Sequence, residues 1–159
     1  MMNKSKQPGI KIDDILLLES SCRRDSNIPR GQKLTTKVNF EFSYTMNKEK
    51  TAGASIIGAV VRLFSPDDEI KSIAEFSAKF QGRFSVDDEA PNMELEPFLE
   101  SNAPALLYSY LRQHIQSITV KSSLPAIHLP IMNVIALIQD IKKKQVEEGN
   151  SSDQTTTDS

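Results

Sequence analysis

Ala74–Val86 reads AEFSAKFQGRFSV, and its alternation decides the fold. Ala74, Phe76, Ala78, Phe80, Gly82, Phe84 and Val86 fall on one side of an extended chain. Glu75, Ser77, Lys79, Gln81, Arg83 and Ser85 fall on the other. A two-residue period with a wholly polar second face is the pattern of a strand that buries one side. Thr36–Met46 (TKVNFEFSYTM) repeats it, with Val38, Phe40, Phe42, Tyr44 and Met46 as the apolar set. Between them Ala54–Phe64 (ASIIGAVVRLF) is β-branched and apolar on both faces, which predicts a third strand with Gly58 as a bulge. The polar segments 46–53 (MNKEKTAG) and 65–71 (SPDDEIK) are connectors of hairpin length. Further out, Ile10–Ser21 reads as a first strand, although Asp14 interrupts its apolar side. Cys22–Leu34 (CRRDSNIPRGQKL) reads as a long crossover, broken by Pro29 and Gly31.

After Val86 the period lengthens. Residues 87–104 (DDEAPNMELEPFLESNAP) hold three prolines and many carboxylates, so they predict a loop or a short irregular helix. Asn102 is placed to cap a helix whose first turn accepts Pro104. Leu107, Leu111, Ile115 and Ile118 then share one helical face. Residues 122–130 (SSLPAIHLP) are an extended connector, and Met132–Val146 is a second helix. Val134, Ile135, Leu137, Ile138 and Ile141 form its apolar stripe, with Lys142, Lys143 and Lys144 near its C-terminus. The fold class is therefore α+β, four antiparallel strands followed by two helices.

The 159 residues suffice for one domain with a real core, expected over residues 10–146. Residues 1–9 are polar and aperiodic. Residues 147–159 hold Glu147, Glu148, Asp153 and Asp158 with no basic residue and no large apolar one, and both ends are expected to be disordered. That tail leaves 19 basic and 17 acidic side chains in the other 146 residues, too balanced for a nucleic-acid footprint. Lys4, Lys6 and Lys11 read as solvated terminal charges. The longest aliphatic run, Ile15–Leu18, is far too short to span a bilayer, and no secretory cleavage pattern is present; a soluble, cytoplasmic protein without membrane insertion is expected.

Signals for catalysis are nearly absent. The six glycines form neither a phosphate loop nor a dinucleotide fingerprint. His114 and His128 have no ligand partner at helical spacing, and Cys22, beside Arg23 and Arg24, has no resolving cysteine. The run Asp87, Asp88, Glu89 lacks the spacing of a calcium loop and reads as a solvated turn. No enzyme activity, metal or cofactor is expected. What remains is a surplus of apolar residues. Phe98, Leu99, Leu124, Ile127, Leu129 and Ile131 sit in proline-punctuated segments, where they either staple loops to the core or line a groove for a partner. A third strand that is apolar on both faces further predicts a second covering layer, such as another subunit.

Pro104–Ile138 (PALLYSYLRQHIQSITVKSSLPAIHLPIMNVIALI) resembles the signature region of the SecB-type protein-export chaperones. A proline at a helix start, a leucine-rich turn, Tyr110, Arg112 and Ile115 match. Lys121, Pro125, Leu129, Asn133, Ala136 and Leu137 follow in the family's register. Gln81–Val86 (QGRFSV) is similar to the Phe-Ser end of the family's fourth strand, and Ile10–Pro29 has a compatible length. The resemblance implies a four-stranded antiparallel Greek-key sheet with two helices, assembled as a homotetramer, a dimer of dimers. It implies ATP-independent holding of unfolded precursor polypeptides for export and delivery to the SecA motor. It places client contacts at Ile28, Leu34, Leu129, Val134, Leu137, Ile138 and Ile141, and puts the first helix (Leu107, Leu111, Ile115, Ile118) between subunits.

The family's acidic contact with SecA is matched only in part. Glu19 and Glu75 stand near its positions, but Arg23 and Ser77 occupy neighbouring acidic ones. A dedicated SecB-like chaperone of a toxin–antitoxin pair, without delivery to SecA, is the alternative within the class. A monomeric α+β domain with a small-molecule pocket is the alternative outside it, although Phe76, Phe80 and Phe84 would give that pocket only apolar walls.

Overall fold

The computed structural model describes residues 9–87, 93–130 and 133–152, with side chains as far as Gly149. Four strands form one antiparallel sheet: β1 (Ile10–Arg24), β2 (Thr35–Met46), β3 (Ala52–Ser65) and β4 (Asp68–Val86). Their order across the sheet is β1-β4-β3-β2, so β2, β3 and β4 follow one another through hairpins while the crossover carries the chain from the β1 edge to the β2 edge.

One face of the sheet carries the helices. A single turn, α1 (Leu95–Pro97), runs through a π turn (Phe98–Asn102) into α2 (Ala103–Lys121), and α3 (Val134–Ser152) follows the connector. Ile57, Val61, Ala74 and Phe76 on the sheet are fully buried against Leu107, Leu111 and Ile115 of α2. Each of these side chains other than that of Ala74 stabilises the fold by about 1.5–3 kcal/mol. Gly82 lets the helix approach closely, since a Cβ there would lie 3.2 Å from a Leu107 methyl and 2.7 Å from the Phe84 ring. A smaller cluster, Phe84, Leu95, Phe98, Leu99 and Ala103, closes the end where the π turn sits. Phe98 and Leu99 thus staple their segment to the core.

Several sequence expectations are corrected. β1 continues to Arg24 and carries two register shifts, between Ile12 and Asp14 and between Leu17 and Glu19. These shifts explain why its alternation is broken: each inserts one residue and flips the pattern. Gly58 is no bulge; it pairs in register with Glu41 and Lys79. Residues 68–71 are strand, because the β3–β4 hairpin turns at Pro66–Asp67. Asn102 lies in the helix with αR backbone and makes no side-chain cap bond. The cap that does form is Asn133, whose Oδ1 accepts the Ala136 N–H (3.2 Å) at the start of α3. α3 then runs to Ser152, past the expected end at Val146. Residues 153–159, Lys4 and Lys6, Asp88 and Glu89, and Ile131 and Met132 lie outside the described residues.

The second face of the sheet bears no helix among the described residues, and polar side chains occupy most of it. Lys79 reaches over β3 to Glu41 (2.9 Å) and approaches Glu19 (3.7 Å). Gly58 makes that possible, since a Cβ there would meet Glu41 Oε1 at 2.8 Å. Arg62 pairs with Glu75 (2.8 Å), and Arg83 makes a two-pronged pair with Asp14, which holds that carboxyl below its ordinary pKa. Ile56 and Val60 of β3 sit half-buried between these rows. Polar side chains of the neighbouring strands flank the apolar second side of β3 and leave it half-buried.

Candidate functional site

The crossover and the connector run past each other at the end of the sheet where β1 stops and β2 begins. Between them lies a groove of ≈ 1000 Å³. Leu63, Leu124 and Leu129 are buried at its base, while Ile28, Leu34, Val38 and Ile127 are half-buried on its walls. Pro29, Pro125 and Pro130 also line it. Proline has no N–H to offer, so these segments cannot pair as strands or close into helices. They stay extended and present side chains to the space between them.

Backbone groups in such a segment still need partners, and α2 supplies them. Tyr108 donates its hydroxyl to the Pro130 carbonyl, and Arg112 Nε donates to the Leu129 carbonyl (2.7 Å). The buried Thr119 hydroxyl accepts the Ile127 N–H (3.1 Å) and donates to Gln116 O (2.9 Å). Burial pushes the Tyr108 hydroxyl above its ordinary pKa, opposed by the charge of Arg112, so it stays a donor at neutral pH. The turn out of α2 is a Schellman motif: Ser123 N–H donates to Val120 O (3.0 Å) and Leu124 N–H to Thr119 O (3.2 Å). Ser123 occupies the left-handed position (φ 55°) that glycine usually fills. Across the groove, Arg24 donates to the carbonyls of Asp25 (2.9 Å) and Ser122, tying the end of β1 to the start of the connector.

The expected client residues divide. Ile28, Leu34 and Leu129 line the groove. Val134 and Ile138 are buried in the core, and Leu137 is half-buried. Ile141 borders a separate cleft of ≈ 270 Å³ between α3 and β2, shared with Phe42, Tyr44 and Ile138. Leu107, Leu111 and Ile115 have no exposed surface in the single chain, and Ile118 is half-buried. The first three are core residues of this chain, where the apolar face of α2 meets its own sheet. Val38 and Leu63, expected only as strand residues, also line the groove near the strand ends that the crossover frames. The anchoring roles of Tyr108, Arg112 and Thr119 leave no periodic trace in the sequence.

A second apolar surface lies along β1. On the helix side, Ile12 and Leu17 remain 48% and 47% exposed because α2 sits over β3 and β4 and stops short of the edge strand. Leu17 pairs with Phe80, whose ring lies 6.2 Å from that of the exposed Tyr110. His114, which hydrogen-bonds Ser20 (2.8 Å), packs edge-on to the same Phe80 ring. Burial and Lys121 lower its pKa, which favours the neutral imidazole. Glu19 and Glu75 lie on the open face, the former near Lys79 and the latter bound to Arg62. No helix among the described residues is long and apolar enough to cross a membrane.

Residues 30–145 match the family described as "Preprotein translocase subunit SecB". An uncharacterized protein of Methanocaldococcus jannaschii is 30% identical over 128 residues, which cover 80% of this chain and 79% of that protein. The solved structure of the Mycobacterium tuberculosis SecB-like chaperone Rv1957, in complex with a ChAD peptide from the HigA1 antitoxin, matches with a TM-score of 0.65 at 22% identity. The match covers 77% of this chain and 90% of that one. At that identity the likeness establishes a shared fold.

Proposed function

This chain belongs to the SecB family, and on that premise we propose that it holds unfolded polypeptides in the groove between crossover and connector, without ATP. The observation that carries this reading is the groove itself, large, open at the surface and walled by half-buried aliphatic side chains. An unfolded client offers many short apolar segments, each gaining only about 25 cal/mol per Å² buried. Copies of the chain joined in one assembly would add several such contacts by effective concentration. The exposed band of Ile12, Leu17 and Tyr110 is the surface we assign to that association, in a homotetramer built as a dimer of dimers.

Whether the client is a precursor for export or one dedicated partner separates two versions of this reading. The peptide from an antitoxin bound by the Mycobacterium tuberculosis relative favours the second. In favour of the first stand Glu19 and Glu75 on the open face as contacts for SecA, although Glu75 is already engaged by Arg62. The test is suppression of aggregation of a chemically unfolded protein, with the mass of the assembly measured alongside. Ile127→Asp is expected to abolish protection while leaving the mass unchanged, since a half-buried carboxylate in the wall repels apolar guests without touching the band. Full protection by this variant would refute the groove. A pull-down with SecA and with an antitoxin then separates the two versions.

A further inference from the structure

The groove is apolar at its base but not neutral at its rim. Arg24 and Arg30 line it, and no aspartate or glutamate among the described residues does. The walls follow the same bias: residues 24–34 hold Arg24, Arg30 and Lys33 against Asp25, and residues 121–130 hold Lys121 and no carboxylate. Asp25 is drawn off by Arg23 (3.4 Å). Arg24 spends its hydrogen bonds on the carbonyls of Asp25 and Ser122, neutral acceptors that leave its charge uncompensated. Arg30 is exposed, next to Gly31 in a left-handed turn (φ 77°). The β3–β4 turn, reached by Gln32 of the crossover (3.3 Å to Ser65 Oγ), carries Asp67, Asp68 and Glu69, none of which lines the groove, so the cationic bias belongs to the rim and not to that whole end of the sheet.

Resting on the reading of the groove as the client site, we infer that it selects apolar segments flanked by carboxylates. An aspartate or glutamate beside the buried stretch meets a rim of uncompensated cations, while a lysine or arginine there meets like charge. Complementarity of this kind sets preference and on-rate while the apolar floor supplies affinity.

Fluorescent peptides that share one aliphatic core and carry Asp, Ser or Lys flanks test this by anisotropy with the full chain. The Asp-flanked peptide is expected to bind roughly fivefold tighter than the Lys-flanked one, the scale of one or two exposed ion pairs, with the Ser-flanked peptide between. The gap should shrink as salt screens the rim. Arg30→Glu should erase or invert the order of the Asp- and Lys-flanked peptides. Equal affinities in the wild type, or an order unmoved by Arg30→Glu, would overturn the inference. So would peptide affinity that falls as protein concentration rises, because a second copy would then occupy the groove. In the first two cases, loss of Ser-flanked binding in Ile127→Asp keeps the groove reading; if no peptide binds at all, both fall.

Discussion

Two apolar surfaces left uncovered among the described residues, the band along β1 and the groove, are built in opposite ways. The band along β1 rests on paired secondary structure: Ile12 and Leu17 lie on a strand bonded to β4 despite two register shifts and tied by the Asp14–Arg83 pair, and Tyr110 lies on α2. The groove is irregular, with walls made of proline-bearing segments held by a few side-chain bonds to carbonyls. A surface fixed by a paired strand and a helix suits one partner of fixed shape, and the partner we propose for it is a second copy of the same chain. Walls tied at a few points can shift to fit guests of different sequence, as adaptable aliphatic surfaces do. The difference teaches that exposed apolar area in one small domain rests on two kinds of backbone, and the two roles we propose follow that division.

The comparison breaks most visibly at the band. Leu17→Asp should convert the assembly to smaller species by light scattering, with a change in the single chain's stability within about 0.5 kcal/mol, because the side chain is exposed there. An unchanged mass would mean that the band serves some other partner. Next in size is the tether of the groove. Arg112→Ala removes a charged donor from the Leu129 carbonyl and should cost about 1.5–3 kcal/mol in chemical unfolding. Hydrogen exchange at Ile127 should speed up while that of β4 stays slow. Equal acceleration in both would show that the connector is not a separate, adjustable wall. The smallest effect is at Ser123. Replacing it with Gly relieves the left-handed backbone and should raise stability by about 1 kcal/mol, with client binding unaltered. A loss of stability would show that the serine side chain contributes more than its backbone strain costs.

Much of this fold is legible in the sequence because strands with one buried face write their period directly. Phe76, Phe80 and Phe84 of β4, and Phe40 and Phe42 of β2, lie where alternation puts them. β1 is harder to read, since its two register shifts break the period. The helix after Val86 starts early, at Leu95, because the π turn absorbs a stretch that looks irregular when prolines are counted alone. Of the site, the aliphatic residues of the connector and crossover are recognisable as unplaced apolar side chains, and Leu124, Ile127 and Leu129 do meet Ile28 and Leu34. Periodicity could not tell which side of α2 faces outward: Leu107, Leu111 and Ile115 form an apolar stripe whether they meet their own sheet or a neighbour. The bonds from Tyr108, Arg112 and Thr119 that shape the groove arise from tertiary placement, and no local pattern encodes them.

Hydrogen exchange of the full chain, with and without a bound unfolded polypeptide, tests the central claim most directly. Slowed exchange confined to residues 25–34 and 123–130, with the centre of β4 unchanged, is the result the account predicts. A footprint on the open face of the sheet instead, or none at a concentration where the polypeptide is bound, would contradict it.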